Sequence, residues 1–497
     1  MPIEDNIQNE SYFDSYRNIS AFIFNKKENK FYFKLAILII ILQIFIYKYF
    51  FPYPNFLIGD SWDYILDAKN NAQIGTHAIG YSIFLRIFSA ISTSDTALII
   101  IQYTMLQTAA LILNFSVYYF YSPPRLIKKM ILFFSLLNPL YFAIANTISS
   151  DNLCITLSLI WFSQLLWIIY KPTPTVIYLH CFILFLTFIV RYNAMFFILI
   201  SIAALYYSKI NIKVKIIGLV IYIIITGTYI INNRERNYEI SGTRQFTPFS
   251  GWQLANNALY TYRYIPDSLR LEVPQKFKNL DNLVREYFRK VEKDKDNAIE
   301  KRQAFHDYMW AEESPLWIYI KENYSDKDDL RAYKHWAQAA PFYKEYGSWI
   351  ILHYPKEFIK NVIFPHIQSW FIPPMISMER YNFGYDFIHY SAIEWFNLKT
   401  SQIKVRIVNV DIIDGLLGLY PLWAVFIHLL FWFLFIRFII INRIDDSYSI
   451  FYGLMLVALF WLTNFSFNVF AAQIEVRYLL FPIHLITIFC FLMIGFM

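Results

Sequence analysis

The sequence predicts an all-α polytopic membrane protein of about ten transmembrane helices carrying a mainly α extracytoplasmic loop domain. Three observations predict it. The 497-residue chain is 57% hydrophobic and 20% aromatic but only 16% charged, with a mean hydropathy of +0.36, outside the usual range of soluble domains. Its charges are separated by apolar runs near the roughly 20 residues that a spanning helix needs. One segment, 233–408, breaks that pattern. It holds 25 of the 44 Lys and Arg and 22 of the 37 Asp and Glu, nearly balanced in sign, and reads as a solvated domain.

The expected spans are 33–51, 95–120, 130–147, 152–170, 175–190, 192–208, 214–232, 411–436, 447–468 and 478–496. The fifth and sixth are short and separated only by "VRYN". The stretch "IGYSIFLRIFSAIS" (79–92) is shorter still and carries Arg86, which suits an interfacial helix. Lys and Arg collect in cytoplasmic loops, so the chain divides into a cytoplasmic segment 1–32, a transmembrane module 33–232 whose first outer loop is 52–94, the loop domain 233–408, and C-terminal helices 409–497. With the N-terminus inside, the inner turns receive Lys26, Lys27, Lys30, Lys34, then Arg125, Lys128, Lys129, then Lys171, then Lys209, Lys213, Lys215, and finally Arg437 and Arg443. The opposite face collects Asp60, Asp63, Asp67, Asp95, Asp151, Arg191, Glu475 and Arg477. Both termini are then cytoplasmic, and a bacterial inner membrane is the expected location.

The first thirty residues show no short apolar segment and no small-residue cleavage pattern, so no cleaved signal peptide is expected. Cys154, Cys181 and Cys490 lie within expected spans, which gives neither a disulfide framework nor a thiolate metal site. The formal charge of +7 is scattered over inner turns and one loop, so positive-inside topology accounts for it without a nucleic-acid partner. Within the loop domain, "LDNLVREYFRKVEKDKDNAIEKRQAFHDYMW" reads as helix from its three- and four-residue apolar spacing, and "WIILHYPKEFIKNVIFPHIQSWFIPP" as a helix returning to the interface and then a turn.

The chemistry is expected where polar groups converge at the outer surface. In "FLIGDSWDYILDAKN" (56–70), Asp60 is either the N-cap of a short helix beginning near Trp62 or a catalytic carboxylate; Asp63 shares its face, and Asp67 reads as part of a solvated side. In "NPLYFAIANTISSDNLCITL", Ser149 or Ser150 with Asp151 makes a helix start with an acid in its first turn. Arg191 interrupts an apolar stretch on the same face, and Glu475 and Arg477 stand just before the last span. Two or three carboxylates with two guanidiniums suggest a base for an acceptor and cations for an anionic group such as phosphate.

The order of these elements resembles the GT-C superfamily of integral membrane glycosyltransferases, especially the branch of protein mannosyltransferases and lipid A aminoarabinose transferases. The likeness runs through "GDSWDY" with Asp60 and Tyr64, "THAIGYSIFLRIF" with Tyr81, "NPLYFAIANTISSDNL", "VRYNAM", "LHYPKEFIKNVI" with His353, and "EVRYLLFP" with Glu475, Arg477 and Tyr478. It touches most of 35–490 through short, degenerate motifs. The resemblance implies inverting transfer of a sugar from a polyprenyl-phosphate donor held in membrane lipid to a lipid, glycan or protein acceptor. Asp60, Asp63 and Asp151 would be the catalytic acids, Arg191 and Arg477 would hold the donor phosphate, and Tyr64, Tyr81, Glu475, Tyr478 and His353 would support them. Many relatives have Asp-Glu where this chain has Asp60-Ser61, so a divalent metal would have only Asp60, Asp63 and Asp151 as oxygen ligands. Burial would raise the pKa of Asp60 while a nearby Arg would lower it. Trp62, Tyr64, Trp252 and Trp370 are either sugar-stacking platforms or an aromatic belt, and "GWQLANNALYTYRY" is expected to cover the cavity. An O-antigen ligase or polymerase would concentrate Arg and His in the large loop and lack the early acidic motif. A non-catalytic lipid or solute carrier would show broken spans at midplane and paired repeats.

Overall fold

The computed structural model describes residues 18–291, 303–323, 333–406, 415, 417–442 and 450–497. Among these, eight helices are long and apolar enough to cross a membrane, giving an all-α, multi-pass architecture. In chain order the first module contains α1 (Ile19–Asn25), α2 (Lys27–Phe50), α3 (Asp60–Lys69), α4 (Gly80–Ser89), α5 (Asp95–Tyr121), α6 (Arg125–Leu136), α7 (Pro139–Ala145), α8 (Ser150–Tyr170), α9 (Pro174–Val190), α10 (Phe197–Tyr207) and α11 (Ile212–Ser241). The two expected spans at 175–190 and 192–208 correspond to Pro174–Val190 and Tyr192–Tyr207, both shorter than the eight long helices. The second of them opens as a 3-10 turn at Tyr192–Phe196.

Several boundaries differ from expectation for identifiable reasons. The third span, Arg125–Ala145, which is one of the eight, is broken between α6 and α7, where Pro139 has no N–H to continue the ladder and Asn138 caps the next turn by accepting from the Leu140 N–H. The break frees a carbonyl, and in an apolar surrounding such a group needs a partner. Gln43 of α2 supplies it, donating to Leu136 O at 2.9 Å, while Tyr103 holds Gln43 from the other side at 2.6 Å. Helix α11 continues past 232 to Ser241, so the loop domain starts on a helix already in progress.

The loop domain contains α12 (Phe249–Tyr262), α13 (Lys278–Val291), α14 (Asp307–Trp310), α15 (Pro315–Asn323), α16 (Tyr333–His353), α17 (Pro355–Phe358), α18 (Phe364–Phe371) and α19 (Tyr390–Phe396). The long helix expected over 280–310 is helical to Val291; 292–302 lies outside the described residues, and 303–306 is bent backbone. The expected return helix is continuous through a π-helical turn at Ile359–Ile363 before it stops at Phe371. The domain has its own aromatic core, in which Trp252, Tyr260, Tyr308, Tyr343 and Tyr346 are fully buried. That corrects two readings of the sequence. "GWQLANNALYTYRY" is the buried heart of the domain, with the Trp252 indole N–H donating to Trp336 O. Trp370 is equally buried, packed against His428 and Trp461, so neither Trp forms a belt or an open sugar platform.

Three further helices complete the fold: α20 (Tyr420–Asn442), α21 (Phe451–Ala471) and α22 (Val476–Phe496). The eighth expected span began at 411, but 411–414 lies outside the described residues and the helix starts at Tyr420. The only named strands among the described residues form a two-residue parallel pair, with Asn55 opposite Thr147 and Phe56 opposite Ile148. This pair is small but positions the chemistry, because it ties the segment before α3 to the segment before α8.

Candidate functional site

The parallel pair sets the starts of α3 and α8 side by side. Asn55 Nδ2 donates to Thr147 Oγ1 at 3.1 Å, Ser61 Oγ donates to Ile148 O at 2.6 Å, and Tyr64 OH donates to Ser150 Oγ at 2.9 Å. Gln102 of α5 closes the back of this corner, donating to Ala145 O and accepting from Tyr81 OH at 2.7 Å. Tyr64 and Tyr81 are therefore structural struts: Tyr81 packs edge-on against Tyr64 with ring centroids 5.1 Å apart.

Asp60 does not cap α3. The cap is Gly59, whose φ of +83° suits glycine, and Asp60 is the first helical residue. Its carboxylate is thereby left for tertiary contacts. Oδ2 accepts from Arg477 Nη1 at 2.8 Å, and Oδ1 faces His77 Nε2 at 3.6 Å. Asp151 stands in the first turn of α8 behind Ser149, which serves as the cap and donates its hydroxyl to Asp151 Oδ2 at 3.1 Å. Asp151 Oδ1 pairs with Arg191 at the end of α9, and Oδ2 accepts from the same Arg477 Nη1 at 3.3 Å. Arg477 also lies 3.6 Å from Glu475 and donates to Tyr478 OH at 2.6 Å. Both guanidiniums face the Tyr478 ring, Arg191 at 4.5 Å and Arg477 at 4.6 Å from its centroid. Glu475 is buried and anchored by the Ser377 backbone N–H and hydroxyl, which couples the loop domain to the start of α22.

Eight of the sequence-predicted residues thus sit on the starts of α3, α8 and α22 and the end of α9: Asp60, Asp63, Tyr64, Asp151, Arg191, Glu475, Arg477 and Tyr478; Tyr81 braces them from α4. His353 does not join them. It ends α16 as an exposed side chain, with Nδ1 at 2.7 Å from Trp349 O and its ring stacked on Trp349, so its own helix uses it. Trp62 stacks on His389 with centroids 4.3 Å apart.

Sequence reasoning missed His77. Its Nε2 lies 3.5 Å from Asp63 Oδ2 as well as 3.6 Å from Asp60 Oδ1, and its ring faces Tyr64, Phe249 and Trp310. The available signal was its place in "GTHAIGY", within the loop that already carried the acids. Ser377 was missed too, having no local pattern at all.

Electrostatics separate the three acids of α3. Burial would raise the Asp60 carboxyl, but Arg477, His77 and Arg191 overcome it and hold it down at about 2. Asp67 moves the other way. Burial and the neighbouring Asp63 push it up to about 7 against the opposing pull of Arg86, and the side chain is half-buried where a solvated one was expected. Among the described residues no three His, Cys, Asp or Glu side chains gather as a metal-binding group. Asp60 and Asp151 direct their Oδ2 atoms to one guanidinium nitrogen, so a side chain supplies the cation between them.

No protein-family model, no curated protein and no solved structure matches this chain.

Proposed function

We propose that this protein is an inverting glycosyltransferase of the GT-C kind, moving a sugar from a polyprenyl-phosphate donor to a lipid, glycan or protein acceptor at the extracytoplasmic face of a bacterial inner membrane. The observation that carries this reading is the shared guanidinium: Arg477 joins Asp60 and Asp151, and Arg191 completes a compact group of acids and arginines at helix ends. The donor's tail would hold its phosphate at that level of the bilayer, beside the carboxylates.

In the resting site Asp60 is a weak base, because Arg477 holds its charge. An incoming phosphate competes for the same fork, which suits planar bidentate recognition of oxyanions. As Arg477 turns to the phosphate, Asp60 loses its counter-charge and its basicity rises. Donor binding would therefore switch on the base. Asp60 then takes the proton of the acceptor hydroxyl, the acceptor oxygen bonds to the anomeric carbon, and the bond from that carbon to the phosphate oxygen breaks with its electron pair leaving on polyprenyl phosphate. Arg191 and Arg477 stabilise the charge that grows there. No step is routed through a metal.

A ligase would deploy its arginines in the large loop. Here Arg285 and Arg289 of that domain are engaged by Asp267, and Arg285 also by Asp281, which leaves them in structural pairs. The test is transfer of radiolabelled sugar from polyprenyl-phosphate donors in membranes, comparing wild type with Asp60→Asn at matched expression. Loss of transfer by about 10²-fold or more supports the base. Equal transfer removes Asp60 from the chemistry, and retained solute or lipid movement without transfer favours a carrier.

A further inference from the structure

We infer that His77 is a proton relay that discharges Asp60 to the outer surface through Asp63, an inference that rests on the glycosyltransferase reading above. After one turnover Asp60 carries a proton and must lose it before the next. On its inner side that is blocked, since Oδ2 faces Arg477, a donor with no acceptor atom. On its outer side Oδ1 faces His77 Nε2 at 3.6 Å, and the same nitrogen faces Asp63 Oδ2 at 3.5 Å. The outer end of this line is its most exposed point: side-chain exposure is 39% at Asp63, against 15% at His77 and 27% at Asp60.

The step balances on one nitrogen. The neutral imidazole takes the proton from Asp60 Oδ1 on Nε2, becoming imidazolium with Asp60 again a carboxylate. A small rotation of the ring then brings Nε2 to Asp63 Oδ2, which receives the proton and passes it to water. The ring is held for this motion by aromatic neighbours on two sides, Tyr64 at 5.3 Å from α3, and Phe249 at 6.4 Å and Trp310 at 6.3 Å from the loop domain. The titratable or charged groups facing the imidazole are Asp60, Asp63 and Tyr64, all on α3; Phe249 and Trp310 contribute none.

The experiment compares kcat and KM for donor in sugar transfer by wild type, His77→Gln, His77→Ala with and without added imidazole, and Asp63→Asn. The expected result is a kcat lowered by roughly tenfold or more in His77→Gln with KM little changed, and partial recovery of His77→Ala by imidazole. Asp63→Asn, at the exposed end of the relay, lowers kcat in the same way while leaving both partners of the Asp60–Arg477 pair in place. Wild-type kcat in His77→Gln, or a His77→Ala loss that imidazole does not restore, overturns the relay while the transferase reading stands. Absence of transfer by the wild type itself overturns both.

Discussion

Arg477 Nη1 lies 2.8 Å from Asp60 Oδ2 and 3.3 Å from Asp151 Oδ2, although 417 residues of chain separate Arg477 from Asp60. Removing this fork leaves three carboxylates, Asp60, Asp151 and Glu475, without the cation they share. Breaking a buried pair on one side costs about 3–5 kcal/mol. Arg477→Met is therefore expected to lower the unfolding temperature in detergent sharply. Arg477→Lys keeps the charge but not the planar fork, so it should recover much of that stability while transfer stays about 10²-fold down. A lysine variant that transfers sugar at the wild-type rate would show that the fork has no role in holding phosphate.

The Arg191 and Asp151 pair is separable from that fork. Asp151→Ala leaves Arg191 and Arg477, both beside the Tyr478 ring, without the carboxylate they share. Removing both partners should relieve this, so the double variant Asp151→Ala, Arg191→Ala is expected to be more stable than the two single losses sum to, with a coupling of about 1–3 kcal/mol. Chemical denaturation of the four proteins of the cycle measures it, and additive losses would mean that the pair contributes nothing of its own.

How much of this was legible in the sequence varies with the physics of each element. Apolar runs marked the helical segments, because a spanning helix must meet a length and composition rule that is local in the sequence. Asp60, Asp151, Arg191 and Arg477 stood out because charges at the ends of apolar runs are conspicuous. Their mutual contacts depend on the Asn55 to Phe56 strand pairing with Thr147 and Ile148, and a two-residue strand leaves no periodic trace. Trp252 and Trp370 misled for a related reason: composition cannot separate an aromatic that packs a core from one that faces a ligand. His77 had only its place in the acid-bearing loop to mark it, since its partners lie on the preceding helix.

Asp60 and Asp67 occupy one short helix and should respond to pH with opposite signs. The folded-state pKa of Asp60 is lowered to about 2 from an unfolded value near 3.9, so its contribution to stability is present above about pH 4 and is lost as pH falls through 2. Asp67 is raised to about 7, so the folded state holds its proton where the unfolded state has released it, and stability declines as pH rises from about 4 to 7. Asp67→Asn should accordingly raise the unfolding temperature at pH 8 and leave it unchanged at pH 4. Thermal unfolding in detergent across that range checks the sign; a variant no more stable than wild type at pH 8 would mean that the carboxyl ionises there without strain.

Gly80 offers a test that touches none of the charged groups. A Cβ at this position would lie 2.5 Å from Ile189 O and 2.7 Å from Val190 N, both backbone atoms of α9 at the residues leading into Arg191. Backbone cannot turn aside as a flexible side chain can, so Gly80→Ala has to push α4 and the end of α9 apart. Arg191 moves with that end, away from Asp151 on α8, while Arg477 and Asp60 keep their own contact. Because Arg191 is assigned to the donor phosphate, the displaced guanidinium should raise KM for the polyprenyl-phosphate donor and lower kcat, with the acceptor KM little affected. Overpacking of this kind also destabilises by about 1–3 kcal/mol, so the kinetics must be read on protein that has been shown to be folded. Steady-state transfer by Gly80→Ala, set beside Arg191→Lys, separates the two effects: matching losses place the damage at Arg191, whereas wild-type kinetics in a destabilised protein confine Gly80 to helix packing.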